Sequence, residues 1–168
     1  HRIEHVALPA PGHLQRMQAI GTMAVPQSVF LYALGANYRR YIPDALLPGV
    51  FPIRDMIDTG LPVALSSDAP VVPDDNPLLG MKAALDRCDA SGQPFTREQG
   101  ISAYEALYAY TMGGAIASGD EANRGSVTRG KWADMVILSG DPLITPPADL
   151  PNLVVEQTYV GGRLVYER

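Results

Sequence analysis

Few residues in this chain can do chemistry, and they are unevenly placed. All three histidines, His1, His5 and His13, fall at its start. The stretch LPVALSSDAPV, residues 61–71, ends an apolar run in Ser66, Ser67 and Asp68. His5 closes the short run RIEH, so His5 and Asp68 each stand at the carboxyl end of an apolar extended segment. A neutral imidazole and a carboxylate suit a divalent metal site, and a carboxylate there can also move protons. Plainer uses compete. A strand-end histidine is often a hydrogen-bonded structural group, and an aspartate before Ala69 and Pro70 can open an Asx turn. His13 begins a polar helix and is expected in solvent; His1 is either a neighbour of the site or simply where the chain begins.

Two other chemistries fail on context. GSVTRGKW, residues 125–132, matches G-x-x-x-x-G-K, but Trp132 replaces the Ser or Thr that would hold magnesium. The segment also follows a helix and leads into ADMVIL, the reverse of a phosphate loop. Ser66 and Ser67 lack the G-x-S-x-G elbow that an acyl-enzyme hydrolase requires. A nucleotide-binding doubly wound sheet would need a glycine-rich strand-to-helix turn, which is missing.

The positioning elements follow from periodicity. LQRMQAIGTMAVPQ and IRDMIDTGLPVALSSD each read as a helix, a Gly stop and a short apolar strand, with Gly21 and Gly60 just past the helices. Pro52 suits the first turn of the second of these helices. Alternating helix and apolar strand predicts parallel strands buried on both faces, as in a βα-barrel or a doubly wound sheet. In a βα-barrel the carboxyl ends of the strands carry the active site, which places His5 and Asp68 on one rim. Asn76 caps a further helix with Pro77 at its first position, and Ser102 with Glu105 forms a capping box opening a helix through ISAYEALYAYTMGGAIA. From residue 125 the pattern changes to short strands with a turn at Gly161 and Gly162.

Composition bounds the rest. The chain has 168 residues, 46% hydrophobic and 18% charged, with net charge −5, which fits a globular domain and offers no basic track for nucleic acid. No apolar run is long enough for a membrane span. One cysteine, Cys88, excludes an internal disulfide, and a cytoplasmic location is expected. The opening HRIEHV lacks Met and reads as the inside of a strand, so a segment upstream is expected.

In order and spacing, HRIEHV, FPIRDMIDTGLPVALSSDAPV, NPLLGMKAALDR, GSVTRGKWADMVILSGDP and VEQTYVGGRLVYER resemble the C-terminal part of the metal-dependent amidohydrolase superfamily. The resemblance is to amidohydrolase family 3, the group of YtcJ-like proteins and N-substituted formamide deformylases. It implies an α/β fold, the C-terminal part of a TIM (β/α)8 barrel followed by strands of a small flanking β-sandwich. Residues 1–124 would supply strands six to eight with their helices, and residues 125–168 a sandwich segment completed by upstream strands. It makes His5 the metal-binding histidine of the sixth strand, and Asp68 both a metal ligand and the catalytic aspartate of the eighth. One or two divalent ions, zinc above all, and a small amide, formamide or cyclic amide substrate are implied; homo-oligomerisation is left open.

The sequence departs from that pattern in two places. Val25, Pro26 and Gln27 replace the expected Val-Gln-Pro order with no histidine following, and Ser66 stands where a Gly commonly precedes Ser-Asp. The family's H-x-H pair, bridging lysine and fifth-strand histidine would lie upstream. The resemblance therefore implies a hydrolase parent, with this chain alone inactive and weakly metal-binding; a non-catalytic scaffold is the alternative. Tyr32, Arg54 and Arg87 lie in the same region without assigned roles.

Overall fold

The computed structural model describes residues 1–168. Its organising feature is a set of parallel extended segments. Strand β1 (Arg2–Glu4) pairs in parallel with β2 (Met23–Val25), Ile3 opposite Ala24. Residues 62–66 run parallel on the other side of β2: the Ala24 N–H donates to the Pro62 carbonyl (3.0 Å), the Ala64 N–H to the Ala24 carbonyl (3.0 Å), and the Ser66 N–H to the Pro26 carbonyl (3.2 Å). Three carboxyl ends thus meet on one rim, as the alternating pattern predicts.

Helices connect the segments. Helix α1 (His13–Ala19) buries Leu14 and Met17, and Gly21 turns the chain into β2 at φ 66°. Helices α2 (Val29–Tyr41) and α3 (Ile53–Asp58) separate β2 from residues 62–66, with Gly60 at φ 83° after α3. Both glycines occupy the left-handed region, where a Cβ costs energy. Pro52 falls one residue earlier than expected, as the cap before Ile53 rather than inside the first turn.

Helix α4 (Pro77–Asp86) begins as its sequence predicts, the Asn76 side chain accepting from the Leu78 N–H at 2.9 Å. The segment expected as one helix is two, α5 (Ala103–Tyr110) and α6 (Met112–Ser118), broken at Thr111 with φ −112° and ψ −81°. Just past the break, Gly113 sits so close to the 62–66 segment that a Cβ would lie 2.4 Å from the Val63 carbonyl oxygen, so α6 can pack there only with glycine at that position.

Both faces of β2 and of residues 63–65 are covered, whereas β1, at the edge of the set, is exposed along its length, contrary to the expectation of strands buried on both faces. Ala24, Val63 and Leu65 join the main core with Leu31, Phe51, Ile53 and Met56, whereas Met23, Val25 and Ala64 meet Ile116 and Ala117 from α6. Each large side chain so buried contributes about 1.5–3 kcal/mol. β3 (Met135–Leu138), β4 (Val155–Val160) and β5 (Arg163–Glu167) form a separate antiparallel sheet, with Gly161 and Gly162 (φ 57° and 77°) making the β4–β5 turn. This sheet leaves Val136, Ile137, Leu164 and Val165 exposed, but the turn before β4 puts Leu150, fully buried, into the main core. No helix is long and apolar enough to cross a membrane.

Two cations hold the helical layer together. Arg87, fully buried, donates to the carbonyls of Phe51 (2.8 Å), Val50 (3.0 Å) and Phe95 (3.1 Å) and to the Thr96 hydroxyl. Burial pushes its guanidinium down to about 10, with Glu98 opposing, so it stays charged at neutral pH. Arg54 clasps Glu105 through two bonds (2.9 and 2.8 Å), fastening α3 to the capping box of α5.

Arg87→Met should lower stability by about 3 kcal/mol, because it leaves buried carbonyls without donors; urea unfolding checks this. The Arg54 hydrogen bonds hold the Glu105 carboxyl down to about 2 from its ordinary 4.5. A depressed carboxylate stabilises the fold above its unfolded value and loses that contribution as pH falls toward its folded one. Glu105→Gln should therefore cost about 1–2 kcal/mol at pH 7 and flatten the loss of stability between pH 4.5 and about 2, read from thermal midpoints across that range.

Candidate functional site

The rim formed by the three strand ends gathers a small polar group. His5 follows β1, and its N–H donates to the Val25 carbonyl at 3.0 Å, which fixes the strand end against β2. Its ring Nδ1 lies 2.9 Å from Gln27 Oε1, and its plane tilts against Phe30 at a centroid distance of 6.4 Å. Gln27 follows β2 and is 1% exposed; its Nε2 donates to the Val25 carbonyl (3.0 Å) and to Ser66 Oγ (2.8 Å). One chain of hydrogen bonds thus links the ends of all three parallel segments.

Backbone strain concentrates at the same rim. His5 and Val6 have φ of 67° and 45°, and Asp68 has φ of 53°. Left-handed geometry is unfavourable for residues carrying a Cβ, above all for β-branched Val6, and it persists where surrounding contacts over-determine it. At His5 the fold tolerates it because both backbone and ring are bonded to β2 and its extension.

Asp68 stands two residues past Ser66, exposed to solvent. Ser67 Oγ accepts from the Ala69 N–H (3.3 Å), and the Asp68 carbonyl accepts from the Val71 N–H (3.0 Å). Those two acceptors close the turn, so the Asp68 carboxylate is not spent on an Asx turn. His5 and Asp68 therefore share a rim, yet the chain gathers no group of three His, Cys, Asp or Glu side chains able to hold a metal ion. The donors are of the right kind for zinc, one imidazole and one carboxylate, but fewer than the three of a catalytic zinc site.

The remaining polar candidates belong to the scaffold. His13 is exposed at the start of α1, its Nδ1 accepting from the Ala10 N–H at 3.3 Å; His1 uses its carbonyl to bind the Met23 N–H. Arg54 and Arg87 are the fasteners described above, and Tyr32 lies under the Lys82 ammonium at 5.3 Å from the ring centroid. The segment 125–132 runs from α6 toward β3, with the Trp132 N–H on the Asn123 carbonyl, and opens no helix. A cleft of about 380 Å³, lined mainly by apolar residues such as Ile3, Leu8, Met17 and Ile20 with His13 and Arg16 beside them, includes neither His5 nor Asp68. Gln27 is the member to which sequence reading gave no role, noting it only as a departure from the Val-Gln-Pro order; a further signal is a polar side chain directly after the buried run MAVP, between the strands that carry His5 and Asp68.

Comparison with known proteins places this rim in a family. The chain is 33% identical over 168 residues to the N-substituted formamide deformylase of Arthrobacter pascens, an alignment that covers 99% of this chain and 31% of that protein. It is 36% identical over 121 residues to YtcJ of Bacillus subtilis (strain 168), named as an amidohydrolase, covering 70% of this chain and 23% of that one. The chain thus spans less than a third of the length of these relatives. Among solved structures, an uncharacterized metal-dependent hydrolase from Pyrococcus horikoshii OT3 superposes with a TM-score of 0.76 at 25% identity, over 88% of this chain and 30% of that one. With residues 1–166 matching its family profile, the chain belongs to the amidohydrolase family, in the family 3 group.

Proposed function

We propose that this chain is the C-terminal part of a metal-dependent hydrolase acting on a carbon–nitrogen bond of a small amide, formamide or cyclic amide. His5 is a metal ligand and Asp68 both touches the metal and moves the proton. The observation that carries this is the pairing on one rim of a strained strand-end imidazole and a strained carboxylate freed from turn duty. A bound zinc or similar divalent ion would lower the pKa of its water toward about 7 and polarise the scissile carbonyl.

The chain's own residues do the rest. His5 holds its ring edge toward the rim; Asp68, exposed and without an intrachain partner for its carboxylate, accepts a proton from the attacking water and returns it to the departing nitrogen. The further ligands come from outside residues 1–168, with residues 1–124 as barrel units and 125–168 as a sandwich segment. The exposed apolar faces of the β3–β4–β5 sheet support that last assignment, because such a sheet needs cover. The incomplete donor set also favours a second reading, a scaffold relative without activity.

In a protein carrying this chain with its upstream barrel, Asp68→Asn should cut kcat about 10²–10⁴-fold on a panel of formamides and cyclic amides while circular dichroism stays unchanged. Retained turnover would remove Asp68 from the proton role, and a longer protein with neither metal nor turnover would favour the scaffold. For the 168-residue chain alone, calorimetric titration with zinc should give weak binding; low-micromolar affinity or measurable amide hydrolysis would overturn the incompleteness of its site.

A further inference from the structure

The bonds around Gln27 determine where the proton of His5 sits. Gln27 Nε2 lies 3.0 Å from the Val25 carbonyl oxygen, which can only accept, so the amide nitrogen must face Val25. That orientation turns Oε1 toward His5 Nδ1 at 2.9 Å. An amide oxygen also only accepts, so Nδ1 must carry the hydrogen. In a neutral ring Nε2 is then left with a bare lone pair.

Ser66 completes the restraint. Its Oγ accepts the second hydrogen of the Gln27 amide at 2.8 Å, so both amide hydrogens are engaged, and a flip would set the amide oxygen against the Val25 carbonyl oxygen, which has no hydrogen to give. Gln27 is 1% exposed, leaving no solvent to compensate. A glycine at position 66 would strand one of those hydrogens. The two places where the sequence departs from its family pattern, Gln27 and Ser66, are thus one contact.

We propose that Gln27, anchored by the Val25 carbonyl and the Ser66 hydroxyl, is a positioning residue that locks His5 in the Nδ1–H tautomer and presents Nε2 to a metal ion. The metal half rests on the reading of His5 as a ligand; the lock does not. Outer partners that fix a ligand's tautomer are worth about 10–100-fold in metal affinity. An unrestrained imidazole prefers its hydrogen on Nε2, so the lock opposes the ring's own preference.

The three histidines make the test direct. Long-range ¹H–¹⁵N spectra of the 168-residue chain, at a pH where the rings are neutral, should show His5 as Nδ1–H. His13, whose Nδ1 accepts from the Ala10 N–H, should show the opposite tautomer in the same spectrum. Gln27→Met, which keeps the volume and removes the acceptor, should move His5 toward Nε2–H with backbone amide shifts otherwise preserved. Nε2–H in the unmodified chain would overturn the lock whether or not the variant folds, and so would a variant that keeps Nδ1–H. In the longer protein, Gln27→Met should weaken zinc binding about 10–100-fold. An unchanged affinity with the lock lost would overturn His5 as a ligand and leave the lock standing.

Discussion

Ala24, with no exposed surface, binds the segment 62–66 through both its N–H and its carbonyl while its strand pairs with β1 on the other side. That register decides which residues end together. A slip of either neighbour along β2 would carry His5, Gln27 and Ser66 off a common rim, because strand ends face one another only while the parallel ladder holds its register. The side chain at Ala24 is small for the same reason: helices cover one face of β2 while Met23 and Val25 fill the other.

Away from the rim, charged groups add fasteners to the apolar core. Arg87 is a buried cation without a carboxylate at its head; its hydrogen bonds end on Phe51, Val50, Phe95 and Thr96, which belong to two loops that would otherwise leave carbonyls unpaired. Arg54 and Glu105 perform a related task nearer solvent, where one carboxylate both caps α5 and ties it to α3. These contacts hold the helices whose ends close the far edge of the parallel set, as when the Leu65 N–H donates to the Ala109 carbonyl. Rigid support of this kind lets His5, Val6 and Asp68 remain in unfavourable backbone conformations.

The polar chain from His5 through Gln27 to Ser66 is built from groups that each meet one strict demand. A carbonyl that only accepts orients an amide, and an oriented amide orients an imidazole. On the proposed reading of His5 as a metal ligand this chain of constraints would have a purpose, since a histidine ligates metal through whichever nitrogen lacks the hydrogen.

Features with local causes were legible in the sequence. Asn76 and Pro77 start α4 as their types require, Ser102 and Glu105 start α5, and Gly21, Gly60, Gly161 and Gly162 turn the chain where positive φ is needed. The strand-end positions of His5 and Asp68 followed from helix–strand alternation, and the family from the motifs in order. What tertiary structure alone decided involves partners remote in sequence: the close approach of Gly113 to the Val63 backbone beside the break at Thr111; the burial of Arg87, set by loops at residues 50–51 and 95–96; and the hydrogen bonding of Gln27, whose partners are at positions 5, 25 and 66. Capping and turn chemistry are written within a few residues, whereas a hydrogen bond between strand ends exists only once the ladder has brought them together.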